Sequence, residues 1–223
     1  DAILLLPRSK SWGSRRTAQA PGESARSARP RGESEVSGEG ECSAMKPSRD
    51  ALATMDPRTR LRFATESDVP LILQLIRGLA EYERLAHQVV ADEELLRESL
   101  FGERRVAEVV IAEHEGRPAG FALFFHNFST FLGRNGIYLE DLFVRPELRG
   151  RGIGETILAF LARLTVERGG GRFEWSVLDW NEPAIRFYER LGAQAMNEWT
   201  VFRVSGDALT ALAARFDAPP AKV

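Results

Sequence analysis

From Leu61 onward, apolar residues recur with the spacings of short strands and amphipathic helices. Alternating or short apolar runs predict strands at residues 61–64, 106–113, 119–128, 136–144, 172–178 and 198–204. Helical spacing, bounded by capping residues and glycines, predicts helices at 71–79, 92–100, 154–168, 182–191 and 207–216. Three consecutive middle strands favour antiparallel hairpins, whereas the later strand–helix–strand order requires a parallel crossover. We therefore expect an α/β (α+β) fold, with a mixed, mostly antiparallel sheet and helices on both faces.

Residues 1–60 differ from the rest of the chain in composition. They are rich in Ser, Arg, Gly, Pro and Glu and show no sustained apolar periodicity. Such a segment buries too little apolar surface to offset the entropy lost on ordering. We therefore expect a disordered N-terminal extension ahead of one domain at 61–223. A further hypothesis is that this segment is upstream sequence read through, with the native start at Met45 or Met55.

The balance of charge changes at the same boundary. Residues 1–60 carry 11 Lys and Arg against 8 Asp and Glu, whereas residues 61–223 carry 19 against 24. An acidic domain lacks the basic footprint of nucleic-acid-binding proteins, so no nucleic-acid partner is expected. The charge favours a cationic partner or substrate through long-range attraction. Mild acidity that only keeps the protein in solution explains the same balance equally well.

Other features of the composition argue against disulfide-bonded, membrane-spanning and metal-binding proteins. Cys42 is the one cysteine of the chain, so no intrachain disulfide can form, and a reducing, cytoplasmic location is expected. No apolar run is long enough to cross a membrane, so no membrane partner is expected. His87, His114 and His126 are scattered without the spacing of metal ligands, and no metal is expected.

A glycine-rich turn at 149–154 is the strongest chemical signal in the chain. It follows a predicted strand and opens a predicted helix, so its backbone N–H groups and the helix dipole converge on a point that suits phosphate or pyrophosphate. A dinucleotide fingerprint starting at Gly150 fails because its sixth position is Glu155, and no Gly-Lys-Ser/Thr forms a Walker loop. The alternative is a tight strand-to-helix turn that binds no ligand.

A second motif lies in the next predicted helix. Asn181 is a natural N-cap, and Pro183 suits a first helical turn. Tyr188 alone could be ordinary core packing. Together with the glycine-rich turn, however, Asn181, Ala184, Phe187 and Tyr188 resemble the GNAT superfamily of acetyltransferases in register. The resemblance implies the GNAT acyltransferase fold and acetyl-CoA as co-substrate, with its pyrophosphate at the turn.

The resemblance narrows to the diamine (spermidine/spermine) N-acetyltransferase family. It rests on Tyr-Leu-Glu-Asp-Leu-Phe-Val at 138–144, Trp-Asn-Glu-Pro at 180–183 and Glu-Tyr-Glu at 81–83, and it spans about 61–204. The resemblance implies acetyl transfer to a primary amine of a polyamine, a diamine or a related small amine. It also implies a homodimer.

The same resemblance implies roles for individual residues. Tyr188 would protonate the leaving thiolate, and Glu140 would accept the proton of the amine through a water. The residues implied to bind the cofactor are Leu142, Phe143, Val144, Arg149, Gly150, Arg151, Gly152, Ile153, Gly154, Glu155, Asn181, Glu182, Pro183, Ala184, Phe187 and Tyr188. The residues implied to bind the amine are Tyr82, Glu83, Glu140 and Glu198.

The amine side of the site leaves alternatives open. Neighbouring residues of a strand point to opposite faces, so we expect only one of Glu140 and Asp141 to face the cleft, and the resemblance favours Glu140. Phe131, Glu174 and Trp175 depart from the family pattern on this side. The alternatives are acetylation of thialysine, of another small amine or of protein lysine, and a non-catalytic acyl-CoA sensor.

Overall fold

A five-stranded sheet organises residues 56–217, the part of the chain that the computed structural model describes. The strands are β1 (Thr59–Phe63), β2 (Glu108–His114), β3 (Arg117–Ser129), β4 (Arg134–Val144) and β5 (Phe173–Trp175). The helices are α1 (Val69–Tyr82), α2 (Glu93–Phe101), α3 (Ile153–Glu167), α4 (Glu182–Arg190) and α5 (Gly206–Asp217). The strands lie in chain order, β1 to β4 antiparallel and β5 parallel to β4. The predicted mixed, mostly antiparallel sheet is confirmed.

Helices pack on both faces of this sheet, as predicted. Strand β2 shows why, because its apolar residues alternate between two cores. Val110 and Ala112 belong to the core under α3, with Ile157 and Leu161. The opposite core, under α1 and α2, contains these buried residues: Val69, Ile72, Leu73, Leu75, Leu96, Leu100, Val109, Ile111, Phe121 and Phe143. Both faces of the strand are therefore buried, which explains its almost continuous apolar run.

The first strand starts two residues before the predicted boundary of the domain. Strand β1 begins at Thr59, because Thr59 and Arg60 pair with His114 and Glu113 of β2. The rest of the predicted disordered extension, residues 1–55, lies outside the described residues.

The strand predicted at 198–204 is absent, since these residues are described but form neither strand nor helix. Trp199, Val201 and Phe202 are exposed, at 70%, 78% and 91% of their surface. Their apolar character produced the strand signal, but a strand also needs a neighbour for its backbone N–H and C=O groups. Strand β5, at the edge of the sheet, is only three residues long and ends at Trp175 instead of the predicted residue 178. No strand of the described part of the chain pairs with 198–204, so this segment stays outside the sheet.

An ion-pair network ties the entry of α1 to the sheet. Arg62 of β1 donates to both carboxylate oxygens of Asp68, at 2.7 and 2.8 Å, and to Glu113 of β2 at 2.8 Å. Asp68 also accepts from the backbone N–H of Thr65 at 2.7 Å. These partners hold the pKa of Asp68 at about 2, below its ordinary value of 3.8, chiefly through the bond to Arg62. The network therefore stabilises the folded state while Asp68 is ionised.

Replacing Asp68 by Asn should lower the free energy of unfolding at pH 7 by about 1–2 kcal/mol, because a depressed carboxyl pKa stabilises the fold above the unfolded value. The difference from wild type should shrink as pH falls from 4 towards 2, where Asp68 becomes protonated in the folded state. Urea unfolding across this pH range measures both effects. The control is Glu167→Gln, which removes an exposed ion pair with Arg163 and should change stability by less than about 0.5 kcal/mol. Equal losses in the two variants would contradict the role of the network.

Candidate active site

A β-bulge in β4 shapes the site. Leu123 of β3 pairs with Asp141, but the next residue, Phe124, pairs with Leu139, so Glu140 is an extra residue in β4. A one-residue shift reverses which face each following side chain occupies. Before the bulge Leu139 packs in the α3 core, and after it Phe143, also odd-numbered, packs in the α1 core. Odd-numbered side chains of β4 therefore face one side of the sheet before the bulge and the other side after it.

A cleft of about 780 Å³ lies next to the bulge. Strand β5 pairs with β4 only from Ile137 to Leu139. Past this point no strand of the described part of the chain pairs with the β5 side of β4, so backbone groups at 141–144 are available to a ligand. Segment 176–178, the end of α1, the start of α3 and helix α4 contribute the remaining walls. The cleft is thus open where the two parallel strands stop pairing.

The glycine-rich turn forms one end of the cleft. Gly150 and Gly152 have φ angles of 74° and 76°, which glycine adopts without steric cost. Helix α3 begins directly afterwards at Ile153, without a side-chain cap at its N-terminus. Its first N–H groups therefore lack partners within the helix and carry the positive end of the dipole. Arg149 and Arg190 also line the cleft and add positive charge, so the residues present fit a pyrophosphate.

Tyr82, at the end of α1, contacts both the glycine-rich turn and α4. The guanidinium carbon of Arg149 lies 4.2 Å from the centre of the Tyr82 ring, and the Arg149 Nε donates to the carbonyl of Val144 at 3.0 Å. The Tyr82 hydroxyl donates to the Asn181 side chain at 3.2 Å. The predicted capping role of Asn181 is therefore only partly right. Asn181 occupies the N-cap position, but its side chain makes no capping bond.

Tyr188 lies on α4 between aromatic neighbours. Its ring centre is 5.1 Å from that of Trp175 and 5.5 Å from that of Phe187, and it lines the cleft. Burial raises the pKa of the Tyr188 hydroxyl, and the nearby Glu83 and Tyr82 raise it further. The hydroxyl therefore keeps its proton at neutral pH and can donate it within the cleft.

Three carboxylates line the same cleft, on Glu83, Glu140 and Asp141. The expectation that only one of Glu140 and Asp141 faces the cleft is wrong, because the bulge interrupts the alternation of the strand. Burial raises the pKa of Asp141 from 3.8 to about 6, with further contributions from the charges of Glu140 and Glu83. Burial also raises the pKa of Glu83. This acidic group suits a cation, and Asp141 suits proton exchange near neutral pH.

The cleft brings together most of the residues predicted to form the site. The predicted residues that line it are Tyr82, Glu83, Glu140, Leu142, Phe143, Val144, Arg149, Gly150, Gly152, Ile153, Gly154, Glu155, Asn181, Pro183, Ala184, Phe187 and Tyr188. Arg151, Glu182 and Glu198 are not part of its lining. Glu182 forms an exposed ion pair with Arg186, and Glu198 lies in the exposed segment that follows α4.

The cleft also has lining residues that the sequence-based prediction missed. They are Leu79, Asp141, Leu148, Ser176, Val177, Leu178 and Arg190. The three residues at 176–178 belong to the strand predicted at 172–178. Only the end of the β4–β5 pairing, at Leu139 and Trp175, leaves them outside the sheet and next to the cleft. Arg190 follows from no local pattern, because the fold alone carries the last turn of α4 to the cleft.

The described residues contain no group of three His, Cys, Asp or Glu side chains that could hold a metal ion. Nor is any helix within 56–217 both long and apolar enough to span a membrane.

Comparisons with known proteins agree with this geometry. The model of the Acetyltransferase (GNAT) family matches residues 74–193. A thialysine N-ε-acetyltransferase of Mus musculus is 43% identical over 168 residues, which cover 70% of this chain and 98% of the relative. An L-ornithine N5-acetyltransferase of Arabidopsis thaliana is 36% identical over 199 residues, covering 69% and 87%. Among solved structures, an integron cassette protein of V. cholerae shares the fold, with a TM-score of 0.61, 24% identity and coverage of 71% and 99%.

The matched region contains the bulged strand, the glycine-rich turn and the helix that carries Tyr188. The resemblance seen in the motifs is thus confirmed, and the chain belongs to the acetyltransferase (GNAT) family.

Proposed function

We propose that this enzyme transfers the acetyl group of acetyl-CoA to a terminal primary amine of a small cationic substrate, namely a polyamine, a diamine or a related small amine such as thialysine. One observation carries the proposal. The cleft that holds the glycine-rich turn at one end also contains Tyr188 and the acidic group of Glu83, Glu140 and Asp141. A site for an anionic cofactor and a site for a cationic amine therefore share one cavity.

The residues of the cleft divide the reaction between them. An amine is protonated at neutral pH and must lose a proton before it attacks a thioester. Asp141, in place of Glu140 that the resemblance implied, is the proposed proton acceptor, because burial brings its pKa to about 6. Glu140 and Glu83 attract the amine and keep the charge of the acidic group negative. Tyr188 holds a proton for the sulfur that leaves, and backbone groups of β4 at 142–144 position the acetyl-bearing arm.

The alternatives differ in what they require of these residues. A sensor that binds acyl-CoA needs the glycine-rich turn but has no use for a buried proton acceptor and a neutral tyrosine in the same cleft. Acetylation of protein lysine needs the same chemistry and a cleft entrance wide enough for a polypeptide substrate. The printed activities of the two relatives, on thialysine and on ornithine, favour a small amine.

We also propose a cytoplasmic homodimer. The dimer is supported by the exposed apolar surface at 196–216, which includes Trp199, Phe202 and Phe216. Phe202 and Phe216 are more than nine-tenths exposed. Exposed apolar patches of this kind mark protein–protein contacts. A second copy of the chain would cover them and give segment 198–204 the neighbour that a strand requires.

Incubation of the protein with acetyl-CoA and a panel of putrescine, spermidine, spermine, thialysine and lysine should release thiol with at least one of these amines. Tyr188→Phe should lower kcat by about a hundredfold or more, because it removes the proton donor for the leaving thiolate. The Kd of coenzyme A should change little. The matched control is Tyr138→Phe, since Tyr138 does not line the cleft and its hydroxyl reaches only the neighbouring Ser176. No thiol release with any amine would refute the proposed function.

The pH profile of kcat/KM should fall as pH drops below about 6, where Asp141 gains a proton and can no longer accept one. In the variant Asp141→Asn this acidic limb should disappear, and the rate at pH 7 should fall by about a hundredfold. Asp207→Asn, on α5, is the control. Thiol release measured between pH 5 and 8 provides the profiles, and an unchanged acidic limb in Asp141→Asn would assign the proton acceptor elsewhere.

Light scattering at micromolar concentration should give twice the chain mass of 24.9 kDa. Phe202→Asp should lower the mass towards that of one chain, because it places a charge in the apolar contact. Val106→Asp provides the control, since Val106 is an exposed apolar residue outside segment 196–216. A monomeric wild-type protein would overturn the proposed dimer.

A further inference from the structure

The first arginine of the glycine-rich turn occupies part of the open edge of β4. The Arg145 N–H donates to the carbonyl of Ala119 on β3 at 2.9 Å. The carbonyl and the N–H of one peptide unit point in opposite directions, so the Val144 carbonyl points away from β3. It faces the side of β5, whose pairing with β4 ends at Leu139. The Arg149 Nε donates to this carbonyl at 3.0 Å, so an acceptor on the open edge already has a partner within the protein.

Two aromatic rings hold the guanidinium of Arg149 in the cleft. Its central carbon lies 4.2 Å from the centre of the Tyr82 ring and 5.8 Å from that of the Phe143 ring. Both distances are within the range of a cation–π contact, and all three residues line the cleft. The Tyr82 ring is itself restricted, because its hydroxyl donates to the Asn181 side chain at 3.2 Å. The arginine is therefore held against the edge of β4 by a carbonyl and by two rings.

The charge of Arg149 is not neutralised by a carboxylate. This residue takes part in none of the ion pairs among residues 56–217. The turn that carries it leads into the N–H groups at the start of α3, which suit a pyrophosphate. A guanidinium binds phosphate oxygens more strongly than it binds a neutral carbonyl. An anion at the turn therefore competes with Val144 and the two rings for this side chain.

We propose that Arg149 restricts the open edge of β4 to acyl carriers that bear phosphate groups. The inference rests on the proposed function and deepens it, because it states how the cleft selects coenzyme A among thioesters with the same arm. Without a carrier, the Arg149 side chain covers the Val144 carbonyl. A pyrophosphate at the glycine-rich turn attracts the guanidinium, and an amide N–H of the pantetheine arm takes its place at the carbonyl. A carrier without phosphate has to displace the arginine without forming a compensating ion pair.

A purely structural role of Arg149 leads to a different expectation. If its contacts with Val144 and Tyr82 only supported the shape of the cleft, their loss would weaken the binding of every carrier. If these contacts cover the edge, their loss weakens a carrier with phosphates and strengthens a carrier without them. The two roles therefore differ in the sign of one change in affinity.

Two ligands with the same acetylated arm test this inference, acetyl-CoA and the phosphate-free S-acetylpantetheine. NMR and calorimetric titrations of the whole protein, without any amine, measure their Kd values. In Arg149→Met the Kd of acetyl-CoA should rise about tenfold or more, because charge-assisted contacts with phosphate are lost. The Kd of S-acetylpantetheine should fall about three- to tenfold, because no guanidinium has to leave the Val144 carbonyl and the rings.

A second variant tests the same contact without changing the arginine. Tyr82→Leu removes the nearer ring, so the Kd of S-acetylpantetheine should fall about two- to fivefold while that of acetyl-CoA stays within about twofold. Arg163→Met, on the exposed face of α3, is the control for total charge and should change neither Kd by more than about twofold. Changes in Arg163→Met as large as those in Arg149→Met would show a general charge effect and would overturn the inference.

The outcomes separate failure of this selection from failure of the proposed function. Opposite changes of the two Kd values in Arg149→Met support the selection. Weaker binding of both ligands, or a Kd of S-acetylpantetheine that neither Arg149→Met nor Tyr82→Leu lowers, overturns the selection and keeps the proposed function. S-acetylpantetheine that binds neither the wild-type protein nor these variants also overturns the selection. Wild-type protein that does not bind acetyl-CoA at millimolar concentration overturns the proposed function itself.

Discussion

The extra residue that the bulge places at Glu140 is the constraint on which the rest of the site depends. Without it, β4 would keep one alternation along its length, and the two carboxylates that follow Leu139 would face opposite sides of the sheet. With it, Glu140 and Asp141 both line the cleft. The pairing of β4 with β5 ends at Leu139, immediately before this residue. At this one bulge the cleft opens, the edge of β4 loses its partner strand, and the carboxylates come to line the same cavity.

The lining of the cleft combines groups of both charges. The amides at the start of α3, Arg149 and Arg190 are positive, and the carboxylates of Glu83, Glu140 and Asp141 are negative. Tyr188 is buried near the carboxylates, and the same low-polarity surroundings raise the pKa values of both Tyr188 and Asp141. One effect therefore acts on both groups. Burial keeps the phenol neutral and makes the carboxylate a stronger base.

Tyr82 connects two walls of the cleft through non-covalent contacts. Its ring stacks on Arg149 of the glycine-rich turn, and its hydroxyl binds Asn181 at the start of α4. The resemblance to the family suggested an amine contact for Tyr82, whereas its position connects it to the glycine-rich turn as well. Trp180 and Arg84 extend this cluster outward to the rim. The end of α1 is thus attached to the two elements that carry the candidate chemistry.

The sequence by itself determined the features that depend on short-range pattern: the alternation of strands and helices, the glycine-rich turn and the helix that carries Tyr188. These are local because apolar spacing and glycine conformation act over a few residues. Tertiary structure decided which carboxylates share the cleft, because a bulge is a relation between two strands and leaves no mark in one of them. It also decided that Tyr82 meets Asn181, 99 residues away, and that segment 198–204 forms no strand despite its apolar residues. A strand exists only where a partner supplies its hydrogen bonds, and partners are assigned by the fold.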